Sequence, residues 1–154
     1  MVDSLSMTLT TNEYNYPFDF KDYRERIHES TMHVGKLSHS IDFKLKQNAF
    51  IFAALDGRIL KIETGNDLSL TGICGCRACY LEIGHINNEV STYSNILLKT
   101  ADMKIGSRIR NGQFIGKVNN SEHSGGCEGY LHFDVRRYLG ADEFNFLTRE
   151  IRWK

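Results

Sequence analysis

Hydrophobic and polar positions alternate in short runs along most of the chain after Ser38. The runs are rich in Ile, Phe, Val and Leu and are separated by small polar and glycine pairs, a pattern typical of strands joined by tight turns. Asp56-Gly57 predicts one hairpin and Asn87-Asn88 a second. The strands are predicted at residues 50–55, 58–63, 80–86, 90–98, 114–118 and 130–136. We therefore predict a mostly β fold, an antiparallel sheet or sandwich, with a short irregular or helical N-terminal arm.

The last of these strands alternates between apolar and polar side chains. Successive side chains of a strand point to opposite faces, so one face is apolar and the other is polar and titratable. A polar row of this kind is ordinarily a solvated surface, but in a cleft it is a candidate site. The apolar row is Leu131, Phe133 and Val135, and the polar row is Tyr130, His132 and Asp134.

Length and charge narrow the class of protein. The 154 residues suit one domain, which we divide into an N-terminal tail and arm at 1–30 and a β domain at 31–154. Nineteen basic residues balance nineteen acidic ones, which argues against nucleic-acid binding. No apolar run approaches the ~20 residues of a membrane-spanning helix, and the first residues lack the pattern of a secretory signal.

The four cysteines leave three interpretations open. Cys74, Cys76 and Cys79 are closely spaced, and Cys127 lies far downstream. An even number of cysteines permits two disulfides, and a tight cluster of thiols also has the spacing of a metal site. The third interpretation is that the thiols are free.

Several stretches, in order along the chain, resemble one known family. They are His39-Ser40-Ile41-Asp42-Phe43 continuing to Leu55-Asp56-Gly57-Arg58-Ile59, Tyr80-Leu81-Glu82-Ile83-Gly84-His85, Tyr93-Ser94-Asn95-Ile96-Leu97, the return strand at 104–118, and Tyr130-Leu131-His132-Phe133-Asp134. Over about residues 33–137 the chain resembles the lysostaphin-type zinc endopeptidases. The resemblance implies a small antiparallel β domain with a Zn²⁺ site in a groove.

The resemblance also implies a ligand set. Zinc hydrolases use three protein ligands and keep a fourth position for water, and here Asp42 and His132 correspond to two of the three. The family places its first His four residues before the Asp, where this chain has Ser38. The third ligand is therefore either His39, which needs a bulge to face the same way as Asp42, or His33 upstream, or it is missing.

The clearest departure concerns two further histidines, which in the family help to move the proton and stabilise charge. Those positions hold Asn95 and Tyr130. An Asn amide donates hydrogen bonds but does not titrate, and Tyr, with an ordinary pKa near 10, is a poor base at pH 7. We expect a substitute base, if one exists, among His123 in the loop before the last strand, Glu122, Glu128 and His85.

Two functions follow as hypotheses. The first is a zinc-dependent endopeptidase-like domain, weakened by its substitutions, that acts on peptide cross-links of bacterial peptidoglycan. The second is a non-catalytic module that keeps the fold as a surface for a peptidoglycan peptide or a protein partner. The localisation stays open: an extracytoplasmic protein or one delivered to the cell wall is favoured, a cytosolic protein is the alternative, and the first residues show no signal peptide.

Overall fold

The computed structural model describes residues 8–27, 35–63, 79–99, 103–119, 129–141 and 145–154, and most of these residues lie in strands. This confirms the mostly β fold class. Short 3-10 turns lie at Phe20–Asp22, Gly35–Leu37 and Ile86–Asn88. Within the described residues the strands are β1 Leu9–Tyr14, β2 Tyr23–Ile27, β3 Ile41–Leu45, β4 Phe50–Phe52, β5 Gly57–Glu63, β6 Cys79–Gly84, β7 Val90–Leu98, β8 Arg108–Ile109, β9 Phe114–Val118, β10 Tyr130–Tyr138 and β11 Phe146–Trp153.

These strands form one curled sheet with the order β1-β11-β10-β7-β6-β5-β8. β3 pairs with the first half of β10 and carries β2 on its other edge, whereas β9 pairs with the end of β7 and carries β4. All of these pairs are antiparallel except β1 with β11, which are parallel. β10 therefore contacts β3, β7 and β11, and it lies at the centre of the sheet.

The central strands have two different faces, as the alternation in β10 predicts. Phe133 pairs with Ile41 of β3 on one side and with Tyr93 of β7 on the other, and all three are buried in the core. Their shared face packs inward because it carries the apolar residues of each strand. The residues one position along face the opposite side, where the polar row lies. The core includes Phe43, Ile59, Leu81, Ile83, Ile115, Leu131 and Val135.

One predicted hairpin forms and the other does not. β6 and β7 pair directly, and their connection turns at Asn87 and Asn88, whose φ angles of 65° and 58° are left-handed and suit Asn. The hairpin predicted at Asp56-Gly57 is wrong, because β4 pairs with β9 and β5 pairs with β6 and β8. Gly57 instead allows a close backbone approach, since a Cβ there would lie 2.2 Å from the carbonyl oxygen of Gly84.

The N-terminal segment belongs to the sheet. Residues 9–13, expected to be part of a loose tail, lie in β1, whose side chains alternate between buried and exposed positions. The arm is the 3-10 turn at Phe20–Asp22 followed by β2, and Asp19 caps that turn by accepting from the backbone N–H of Lys21. No helix in the described part of the chain has the length and hydrophobicity to cross a bilayer.

Truncating Phe133 tests the two-faced packing of β10. Phe133→Ala removes a fully buried ring that contacts Tyr93, and we expect it to lower the free energy of unfolding by about 3–5 kcal/mol. The matched control is Leu147→Ala, because Leu147 is 48% exposed on neighbouring β11 and should cost less than about 1 kcal/mol. Urea denaturation measures both, and equal losses would contradict this packing.

Candidate functional site

The polar side chains of four strands lie in two adjacent rows on the outer face of the central sheet. The register places Tyr80 of β6, Ser94 of β7, His132 of β10 and Asp42 of β3 side by side. The row beside it contains Glu82, Thr92 and Asp134. Asp42 and His132 are distant in sequence, and the β3–β10 pairing brings them together.

The imidazole of His132 lies between two carboxylates. Its Nδ1 is 3.0 Å from Oδ1 of Asp42 and its Nε2 is 3.3 Å from Oδ2 of Asp134. Burial by itself would lower the pKa of His132, but the hydrogen bonds and negative charges of Asp134 and Asp42 outweigh it and raise the pKa to about 9. At neutral pH the ring is therefore an imidazolium that donates to both carboxylates.

Asp134 is fully buried and holds this network together. Arg136 forms a two-pronged bond to it, with Nε to Oδ1 and Nη2 to Oδ2 both at 2.9 Å. Thr92 donates to Oδ1 at 2.7 Å, and Ser40 donates to Oδ2 at 3.1 Å. Burial alone would raise the pKa of Asp134, but Arg136 and His132 hold it well below its ordinary range. The carboxylate is therefore charged and has donors on both oxygens.

Asn95 occupies a bulge in β7. Cys79 pairs with Ile96 but Tyr80 pairs with Ser94, which leaves Asn95 as the extra residue, with a left-handed φ of 66°. Its Nδ2 donates to the backbone carbonyl of Tyr130 at 2.6 Å, and its Oδ1 accepts from Nδ2 of Asn119 at 3.1 Å. The side-chain amide of Asn95 is thus engaged at both ends within the fold.

Tyr130 lies on the same face as His132, two residues earlier in β10. The ammonium of Lys44, directly across on β3, lies 4.7 Å from the centre of the Tyr130 ring and 3.5 Å from its hydroxyl. This places a cation against the aromatic face. The hydroxyl of Tyr130 accepts from this ammonium, at a position where the resemblance predicts a histidine.

The remaining site residues named from the sequence do not join this cluster within the described structure. His39 lines a separate cavity of about 400 Å³ together with Ile41 and Trp153, so its side chain is not grouped with Asp42 and His132. His39 lies in the turn before β3, whereas Asp42 lies within that strand. Outside the described residues lie the alternative ligand His33, the alternative bases His123, Glu122 and Glu128, and the cysteines Cys74, Cys76 and Cys127.

The profile of peptidase family M23 matches residues 36–145, which is most of the chain. The chain belongs to the peptidase M23 family. This confirms the resemblance to lysostaphin-type peptidases. None of the curated proteins matches the sequence.

Solved structures share the fold of this M23 domain at low sequence identity. Csd3 of Helicobacter pylori is 23% identical with a TM-score of 0.56, over 81% of this chain but only 30% of Csd3. SpoIIQ in its complex with SpoIIIAH is 18% identical with a TM-score of 0.57, over 81% of this chain and 92% of that one. The M23 metalloprotease pseudoalterin from the deep sea is 17% identical with a TM-score of 0.57, over 91% and 92%.

Two of the predicted zinc ligands are in contact in the described part of this M23 domain. Asp42 and His132 are in contact, and a carboxylate with an imidazole suits Zn²⁺. In the described part of this M23 domain, however, no three His, Cys, Asp or Glu side chains are grouped closely enough to hold a metal ion. In this arrangement the side chain of His39 is not grouped with Asp42 and His132. The third ligand, His39 or His33, stays a prediction.

The polar face of this M23 domain includes two groups that the sequence did not predict. Arg136 lies two residues after Asp134 in β10 and therefore on the same face. The alternation of the sequence could have indicated this position. At the far end, Glu82 accepts from the hydroxyls of Tyr80 at 2.6 Å and Tyr138 at 2.8 Å. Only the strand register reveals this second cluster, because its members come from β6 and β10.

Neutralising Asp134 tests how strongly this network stabilises the M23 domain. Asp134→Asn leaves Arg136, which is only 7% exposed, without a counter-charge, and we expect a loss of about 3–5 kcal/mol in the free energy of unfolding. Glu13→Gln is the matched control, since Glu13 pairs with Arg152 in solvent and should cost less than about 1 kcal/mol. A loss from Asp134→Asn as small as the control's would contradict the role of this carboxylate.

The pKa of His132 predicts a pH dependence of stability in metal-free protein. The folded pKa is about 9 and the unfolded one about 6.5, so between these values the folded state binds more protons. The stabilisation is complete below pH 6.5 and is lost as the pH rises through 9, by up to about 3 kcal/mol. Denaturation with a chelator present, from pH 6 to 9, measures this. His132→Gln should remove the slope, and an unchanged slope would contradict it.

Proposed function

We propose that this M23 domain is a non-catalytic binding module whose former catalytic groove serves as a recognition surface. The observation that carries the proposal is the arrangement around Asn95. At this position, where the resemblance predicts a histidine, Asn95 is only 4% exposed and its side-chain amide bonds to Tyr130 and Asn119. It supplies no titratable base, and both its amide nitrogen and its amide oxygen are bonded within the fold.

The second helper position supports the same function. Tyr130 accepts a hydrogen bond from the ammonium of Lys44, and it places a phenol where the resemblance predicts an imidazole. General acid–base help is worth about 10²–10⁴-fold in rate. With neither helper position occupied by a histidine, the described polar face lacks the imidazoles that would supply this contribution.

The polar face retains what a binding surface requires. The partly exposed rings of Tyr80 and Tyr138 are anchored by Glu82, and Tyr130 lies along the same face. Rigid aromatic side chains with fixed hydroxyls give contact area at low entropic cost. Such a surface fits a short peptide, either a cross-link peptide of peptidoglycan or a segment of a protein partner.

One structural relative shows this fold within a protein assembly. SpoIIQ is described with SpoIIIAH in a pore-forming complex, and it aligns with 92% of this chain at 16% identity and a TM-score of 0.55. The relation extends to the fold alone. As a shared fold, it is consistent with the proposal that this domain binds a partner.

A hydrolytic function is the second candidate, and one contact favours it. Nε2 of His132 is held by Asp134, which leaves Nδ1 directed at Asp42. A carboxylate that fixes the second nitrogen of an imidazole is a common feature of metal-ligating histidines. In this alternative Asp42 and His132 would be two Zn²⁺ ligands, His33 the third, and peptide cross-links of peptidoglycan the substrate.

Zinc binding and turnover, measured together, separate the two functions. We expect purified protein supplied with Zn²⁺ to leave peptidoglycan and pentaglycine uncleaved, with release of amino groups at background and the same in Asp42→Ala. Peptidoglycan sedimentation then measures binding directly. An active M23 metalloprotease is the positive control for the assay.

Hydrolysis above background that disappears in Asp42→Ala would contradict the binding module and establish the second candidate. Metal content in that case should be one Zn²⁺ per chain, and His33→Ala should remove it. Circular dichroism of each variant excludes unfolding as the cause. A Lys21→Ala variant, altered at an exposed position before β2, serves as the matched surface control.

A further inference from the structure

A second surface feature lies away from the polar row around His132. A cavity of about 1100 Å³ is bounded by β5, β8, the connection from β6 to β7 and the end of β10. Four arginines line it: Arg58, Arg108, Arg110 and Arg137. No lysine lines the described cavity, although the chain as a whole contains nine.

The two carboxylates that line the cavity are already engaged. Glu89 is 2% exposed, and it accepts from the backbone N–H groups of Thr11 and Asn12 and from the hydroxyl of Tyr14. Asp56 accepts from the backbone N–H of Asn111 at 2.6 Å. Neither carboxylate pairs with a cavity arginine in the described structure. The cavity is therefore lined by four guanidiniums and by two carboxylates whose described hydrogen bonds are to other groups.

The guanidiniums of the four cavity arginines also make few contacts within the described structure. Arg58 donates from Nη1 to the carbonyl of Gly106 at 3.1 Å, which fixes its side chain along the cavity edge. In the described part of the chain, the guanidiniums of Arg108, Arg110 and Arg137 have no ion pair. All four side chains are exposed, so their donors are accessible to a ligand.

We propose that this cavity binds the phosphate groups of an anionic ligand. A guanidinium presents several N–H donors in a planar fork that matches phosphate oxygens. The arginines come from three separate parts of the sheet, and a tetrahedral phosphate has acceptors in several directions, whereas a carboxylate accepts in one plane. The volume exceeds that of a single phosphate and is in the range of ligand pockets. Exposed Leu60 and Ile86 give the organic part an apolar wall.

Pyrophosphate is the probe for this site. We expect calorimetry on the full chain at low ionic strength to show binding that weakens at 0.5 M NaCl, because salt screens exposed charges. Amide signals of Gly84 and Ile109, both at the cavity, should shift on titration. Arg108→Gln combined with Arg137→Gln should weaken binding at least about tenfold, since charged hydrogen bonds are lost.

The matched control is Arg24→Gln combined with Lys46→Gln. It removes the same net charge at exposed positions outside the cavity, and it should leave the affinity within about twofold. Equal weakening in both double variants would overturn the proposal, because attraction would then come from net charge alone. A thermal transition that matches the parent protein shows that each variant is folded.

Vesicles identify the source of the phosphate. Cavity-dependent binding to pyrophosphate without binding to phosphatidylglycerol vesicles supports a soluble phosphate ester. Cavity-dependent binding to phosphatidylglycerol vesicles, with none to phosphatidylcholine vesicles, supports a lipid headgroup. No binding to pyrophosphate and none to phosphatidylglycerol would overturn the site.

Discussion

The buried carboxylate of Asp134 is the group on which the polar face of this domain depends. A charge without access to water is costly unless donors surround it, and here Ser40, Thr92, His132 and Arg136 all bond to it. Its partners come from β7, from β10 and from the residue that leads into β3. Those bonds fix the relative positions of the strands and also the orientation of the His132 ring, so the stability of the sheet and the geometry of the site share one cause.

The alternation of polar and apolar residues predicts what each strand does on its own but not which strands pair. It correctly gives β10 two faces, because the two-residue period belongs to the backbone itself. It fails at Asp56-Gly57, where a local hairpin signal competes with a requirement that only the folded sheet creates, the approach of Gly57 to the carbonyl of Gly84. The pairing of β1 has no local signal in the sequence either, because its partner β11 is at the other end of the chain.

The same limits apply to the site. The resemblance to the family predicts that Asp42 and His132 lie close together, as the structure has them. It does not predict the position of His39, which lies in the turn before β3 and lines a separate cavity. The spacing of Asp134 and Arg136 is visible in the sequence, yet a polar row on one strand has the pattern of a solvated face. Only the neighbouring strands decide whether it is covered, and here they bury Asp134 completely.

At position 95 the fold favours an Asn, whereas the catalytic chemistry of the family uses a histidine. The residue sits in a bulge with a left-handed backbone, which Asn adopts more readily than most residues. Its amide also ties β7 to the start of β10 and to Asn119, whose carbonyl in turn accepts from Gly129 just before β10. A histidine placed here would lose the amide bonds that position Tyr130. Because this local structure is built around Asn95, we expect that changing Tyr130 to His would not by itself restore the family's pair of histidines, since the fold holds Asn95 in the other position.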